Sequence, residues 1–147
     1  MTAQKSTYRI INDLNLIIEY HSGNLDVPSY IKFKERTFKD PNFKTGLNYF
    51  IHFKNVTFIK PKENVHLLVE FIKKNASKFG KRKVAFITST PEQVVATTIY
   101  KTMLADNEQD VTVFSTNENA FNWLTSNPLN TIKLVEIIKE IKREIGE

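Results

Sequence analysis

The chain has 147 residues, a formal net charge of +5 and no cysteine. That length is enough for one domain with its own core, and the absence of cysteine excludes disulfides, thiolate metal sites and a cysteine nucleophile. With 41% hydrophobic and 25% charged residues the composition is that of a globular chain, not a disordered one.

The opening MTAQKSTYRI carries neither a basic start with an apolar core nor a small-residue cleavage site, and no window approaches about eighteen uninterrupted apolar residues. No secretory leader and no stable membrane insertion is expected, and the expected compartment is the cytoplasm. Tyr8 to Ile11 and Leu14 to His21 are apolar runs joined by the turn-forming pair Asn12-Asp13, which predicts a β-hairpin. In the second run Leu14, Leu16, Ile18 and Tyr20 alternate with more polar positions, giving one strongly apolar face. Ser22-Gly23-Asn24 then reads as a turn. Val27, Tyr30, Ile31 and Phe38 recur near helical spacing, with Asp26 and Pro28 suited to a first turn and Asp40-Pro41-Asn42 ending the helix.

Leu47, Tyr49, Ile51 and Phe53 alternate in a third strand that hands over to a helix at Lys60-Pro61-Lys62. Val65, Leu68, Val69, Ile72, Ala76 and Phe79 form that helix's apolar series, and Gly80 is placed to close it. Val84 to Ile87 is a short continuous apolar run, as expected for a strand covered on both faces. Next, Thr90, Pro91 and Gln93 have the spacing of a capping box with proline in the first helical position. The helix they open carries Val95, Ala96, Ile99, Tyr100, Met103 and Leu104, a stripe expected to face the sheet. Asp110 to Phe114 reads as a fifth strand, Ser115 with Glu118 as a second capping box, and Asn127-Pro128 as the break after a short helix. Leu134, Ile137, Ile138, Ile141 and Ile145 line a last helix over 130–146, which fits packing on its own domain or pairing with another copy.

Alternating strands and helices require crossovers, so the expected fold is α/β: a mixed, mostly parallel five-stranded sheet with an N-terminal hairpin and helices packed on it. No repeat or linker divides the chain, which is read as a single domain over 1–147 with a core at 8–124.

Three stretches carry a resemblance to a known family: HFKNVTFI from His52 to Ile59, KVAFITSTPEQVVATTIYKTML and VTVFSTNENAFNWL. With the hairpin ahead of the alternating part, they resemble the STAS domain of bacterial anti-sigma-factor antagonists, in particular the SpoIIAA-like group related in shape to Sec14-type lipid-binding domains. The resemblance spans most of Tyr8 to Leu124. It implies a regulatory serine, phosphorylated by a partner kinase, at the start of the helix after the Val-x-Phe-Ile strand. Here Lys60 and Pro61 stand in the two places of the family's Asp-Ser, and His52 stands where the family carries an aspartate. Pro61 has no hydroxyl, so the phosphoswitch does not carry over to this position.

No motif for nucleotide binding or serine hydrolysis is present, and the four glycines are too few and scattered for a phosphate-cradling loop. His21, His52 and His66 lie on separate elements without metal-ligand spacing. Neither metal nor cofactor is expected. Lysines and arginines are spread over helix faces and ends, so no nucleic acid partner is expected either. Thr88, Ser89 and Thr90 sit where a parallel strand gives way to a helix, a place that suits an anion, although capping accounts for their side chains. The residues expected to form a partner or ligand face are His52, Lys60, Lys62, Ser89, Thr90 and Thr116. The first functional reading is a noncatalytic interaction module that meets a protein partner or a second copy of itself. The alternative is a carrier or sensor of a small apolar or anionic ligand held between the Tyr30 to Phe38 helix and the sheet.

Overall fold

Strands β1 (Lys5–Ile11) and β2 (Leu16–Leu25) pair antiparallel, as the hairpin reading requires. Their connection is a 3₁₀ turn over Asn12–Leu14, closed by Asn15 in the left-handed region at φ 52°. The computed structural model describes residues 3–105 and 108–147. In it β2 continues through Ser22-Gly23-Asn24, which the sequence marks as a turn, because a register shift between Tyr20 and Ser22 lets this end keep pairing with β3 as far as Leu25 opposite Phe58.

Helix α1 (Val27–Phe38) starts where Asp26 Oδ1 accepts the Ser29 N–H at 2.8 Å. Strand β3 (Asn48–Phe58) then leads to α2 (Pro61–Lys74). The single helix expected from Val65 to Phe79 is divided: Asn75 leaves helical geometry and its Nδ2 donates to the Phe71 carbonyl, so a one-turn α3 (Ala76–Phe79) follows. Gly80 is required for another reason than a left-handed cap. Its φ of 70° comes with ψ −174°, and a Cβ there would lie 2.5 Å from Thr45 Cγ2 and 3.2 Å from the Gly46 nitrogen.

The chain continues through β4 (Arg82–Ile87), α4 (Pro91–Met103), β5 (Gln109–Phe114), α5 (Asn117–Thr125) and α6 (Pro128–Glu144). The second capping site is Thr116, one residue later than expected, with its hydroxyl accepting from the Asn119 N–H at 3.3 Å. Asn127-Pro128 does more than end α5. Asn127 caps α6 and Pro128 occupies its first turn, so the last helix begins two residues before 130.

The five strands lie in the order β1-β2-β3-β4-β5, with β2 to β5 mutually parallel. Every crossover after β2 advances one strand in the same direction, which puts α1, α2, α3 and α4 on one face. Tyr30, Phe33, Val69, Ile72, Phe79, Tyr100 and Leu104 pack there against Ile17, Tyr49, Ile51, Val84 and Phe86. Helices α5 and α6 cover the other face, where Phe121 stacks on Phe50 at 4.2 Å and Leu134, Ile138 and Ile141 are buried against Leu16, Ile18 and Ile87. The α6 stripe thus packs on its own sheet. Both faces of β2 are covered, and Glu19 and His21, on the side opposite its apolar face, are fully buried.

Candidate functional site

The site follows from how α4 is turned about its axis. Thr90 and Gln93 form the capping box that their spacing predicts. The Gln93 amide does more: Nε2 donates to the β3 carbonyls of Lys54 at 3.2 Å and Val56 at 2.8 Å, while Oε1 accepts the Ser89 and Thr90 N–H groups at 2.8 and 3.2 Å. This anchor brings Gln93, Thr97, Tyr100 and Leu104 against the sheet. The stripe expected there is rotated away. Tyr100 and Leu104 alone of its members are buried, and Val95 and Met103 are 50% and 41% exposed.

Rotation leaves an apolar wall that does not pack directly on the sheet, and a cleft of about 340 Å³ opens between α4, α2 and the start of α1. Val95, Ala96 and Ile99 form one side, Val65 and Leu68 of α2 another, and Val27 closes the end. Phe53, Phe86, Tyr30 and Tyr100 make the floor. The cleft lies toward the carboxyl ends of β2 and β3, where Leu25, Phe58 and Ile59 join the lining, in keeping with the usual place of ligands in open α/β sheets. The expected position between α1 and the sheet is corrected: Tyr30 and Phe33 seal that interface, and the space lies beside the first turn of α1.

Charged lining residues are few: Asp26, Lys62 and Glu92, each in or next to the first turn of a helix. Asp26 already accepts from Ser29. Lys60, directly before α2, adopts φ 46° in the left-handed region, a strained conformation for a side chain larger than glycine. That turn delivers Ile59, Pro61 and Lys62 to the cleft.

The six residues expected to form one face are therefore dispersed. Lys62 lines the cleft, and Lys60 shapes its entrance turn. Ser89 and Thr90 stand at the end of β4, where the amides that would receive an anion are taken by Gln93. Thr116 caps α5. His52 lies on the other face of the sheet, stacked on Tyr20 at 4.5 Å and 18°. Burial holds its imidazole down at about 3, with the nearby Lys142 and Lys54 ammonium groups adding to the effect. The ring is neutral at pH 7.

A buried polar network beneath α1 has no counterpart in the sequence-based reading. Glu19 accepts from Lys34 Nζ at 2.9 Å, from Tyr30 Oη at 2.8 Å and from His21 Nε2 at 2.9 Å. Burial would push the Glu19 carboxyl up, but the Lys34 ammonium and the His21 hydrogen bond outweigh it and hold its pKa at about 2. Burial lowers His21 against the pull of Glu19. A neutral ring with Nε2–H donating to the carboxylate leaves Nδ1 to accept from Ser6 Oγ at 2.8 Å. Serine, histidine and carboxylate thus form a chain of the kind that activates a nucleophile. Yet Ser6, His21 and Glu19 do not line the cleft, and Glu19 is tied to Lys34 and Tyr30 as well. The period-two pattern of β2 held the signal, since a carboxylate and a histidine on one face of an otherwise apolar strand require partners once that face is covered.

Among the described residues no group of three or more histidine, aspartate or glutamate side chains is arranged to hold a metal, and no helix is long and apolar enough to cross a membrane.

The chain has a SpoIIAA-like fold. It is similar to the crystal structure of an uncharacterised protein of the DUF3478 family, described as having a SpoIIAA-like fold, from Shewanella loihica PV-4. The two superpose with a TM-score of 0.58 at 16% sequence identity, over 84% of this chain and 98% of that one. No family model and no curated protein matches the sequence.

Proposed function

We propose that this chain is a noncatalytic binding module that takes a small apolar ligand in the cleft between α2 and α4. The observation that carries this reading is the outward turn of Val95, Ala96 and Ile99, which leaves an apolar space of about 340 Å³ bounded by three helices and floored by aromatic rings. That volume is at the lower end for small-molecule sites, so the ligand is a single ring system or one short acyl chain, not a two-chain lipid. Apolar walls with charges confined to the entrance suit burial of hydrocarbon and give no paired acid and base for chemistry. The Ser6–His21–Glu19 chain lies outside the cleft, which favours binding over catalysis. Self-association through the last helix has less support, because Leu134, Ile138 and Ile141 are engaged with the chain's own sheet.

The test is titration with Nile red, a neutral apolar dye, followed by fluorescence. Saturable binding is expected in the natural chain, weakened at least about tenfold in Ala96→Trp, whose indole fills the cleft. Equal binding in both, or none in either, overturns the reading. Native mass spectrometry of freshly purified protein supplies an independent check, because a small molecule that co-purifies with the natural chain and not with the tryptophan variant identifies the ligand.

A further inference from the structure

A second polar group lies at the start of β4. Arg82 is 7% exposed, and its guanidinium is positive at any working pH. Its partners among the described residues are neutral: the Gly80 carbonyl at 3.0 Å, Gln109 Oε1 at 2.6 Å, and the rings of Phe79 and Tyr49 at 4.4 and 5.9 Å. Among the described residues the one carboxylate buried on this face, Glu19, is engaged by Lys34. A buried charge of this kind is normally met by an opposite one.

Three donors in the same cluster have no hydrogen-bond partner among the described residues: Arg82 Nε, Gln109 Nε2 and Tyr49 Oη. All three side chains are at least nine-tenths buried, Gln109 at 9% and Tyr49 at 2% exposure. Arg82 Nε and Gln109 Nε2 belong to the two side chains that the 2.6 Å bond joins. All of the unmet groups donate, beside a cation. The cluster is also connected to the cleft, because Tyr100 lines the cleft floor and its hydroxyl lies 3.4 Å from Gln109 Oε1.

We infer that Arg82, Gln109 and Tyr49 form a buried subsite for a small monovalent anion of carboxylate or halide size. A planar carboxylate suits it best, since the edge of a guanidinium and a side-chain amide together present parallel N–H groups. The anion is either a free ion or the acidic end of an apolar molecule whose body occupies the cleft. The subsite itself does not depend on which.

The experiment measures the thermal unfolding midpoint of the full chain at constant ionic strength. Sodium formate and sodium chloride are compared with bulky gluconate, and dodecanoate with dodecanol. The expected result is a saturable rise, on the order of 3 °C at saturation, lost in Arg82→Gln and reduced in Tyr49→Phe. The second variant keeps the ring and serves if the first does not fold. A rise with formate that persists in Ala96→Trp assigns a free ion. A rise with dodecanoate alone, lost in both Arg82→Gln and Ala96→Trp, assigns the acidic end of a cleft ligand. A response that fails to saturate, or that is unchanged in both Arg82→Gln and Tyr49→Phe, overturns the subsite. Equal shifts from dodecanoate and dodecanol, with no rise from formate or chloride, do the same while leaving the cleft reading intact.

Discussion

Gln93 reaches from the first turn of α4 to β3, where its Nε2 donates to the Val56 carbonyl at 2.8 Å. One side chain therefore caps a helix, satisfies two strand carbonyls and sets which face of α4 meets the sheet. Replacing it with leucine leaves the carbonyls and the Ser89 and Thr90 amides without these partners. The expected loss is about 2–4 kcal/mol, measured by urea unfolding. Nile red binding should weaken as well, because an apolar residue no longer fixes the rotation that opens the cleft. Unchanged stability and unchanged binding in Gln93→Leu would contradict this account of α4.

The contact between Lys34 and Glu19 predicts a strongly non-additive pair. Lys34→Met removes the only cation among the described residues bonded to a carboxylate that is wholly buried, at an expected cost of about 3–5 kcal/mol. Glu19→Gln combined with Lys34→Met removes both charges and should recover a large part of that loss. A double-mutant cycle by denaturant unfolding reads the coupling. If Lys34→Met alone changes stability by less than about 0.5 kcal/mol, His21 and Tyr30 suffice to hold the Glu19 charge.

Acid lability follows from His52 and Glu19, in different windows. His52 titrates at about 3 in the folded chain against an ordinary value of 6.5, so folding favours its neutral form. Its contribution is complete above pH 6.5 and is lost as pH falls from there toward 3. Glu19, held at about 2 against 4.5, contributes fully above pH 4.5 and loses that contribution as pH falls toward 2. Unfolding free energy should decline from near pH 6.5 downward and more steeply below 4.5. His52→Phe keeps the stack on Tyr20 and should flatten the upper part of that decline. The same pH profile in this variant as in the natural chain would remove His52 from the explanation.

Much of the fold was legible from local pattern. The capping box at Thr90, the proline starting α2 and the aspartate cap of α1 are written in neighbouring residues, because each depends on hydrogen bonds or dihedrals within one turn. The same holds for the alternation in β3 and the apolar run of β4, and their order was enough for a mixed sheet with helices on both sides. The resemblance to the SpoIIAA-like group agreed with the fold and left the function open, since the residue that would carry the family's switch is Pro61.

Sequence patterning on its own determined which segments are strands and which are helices, because periodicity and capping act over a few residues. The tertiary structure decided how those elements face one another. Periodicity marked α4 as amphipathic, but the long-range bonds from Gln93 to Lys54 and Val56 turned its Val95 and Ile99 toward a cleft. Glu19 and His21 looked like the second face of a half-exposed strand until α1 covered them and supplied Lys34 and Tyr30. The cleft and both buried polar groups draw on residues far apart in the chain, and only the packing of the helices onto the sheet brings them together.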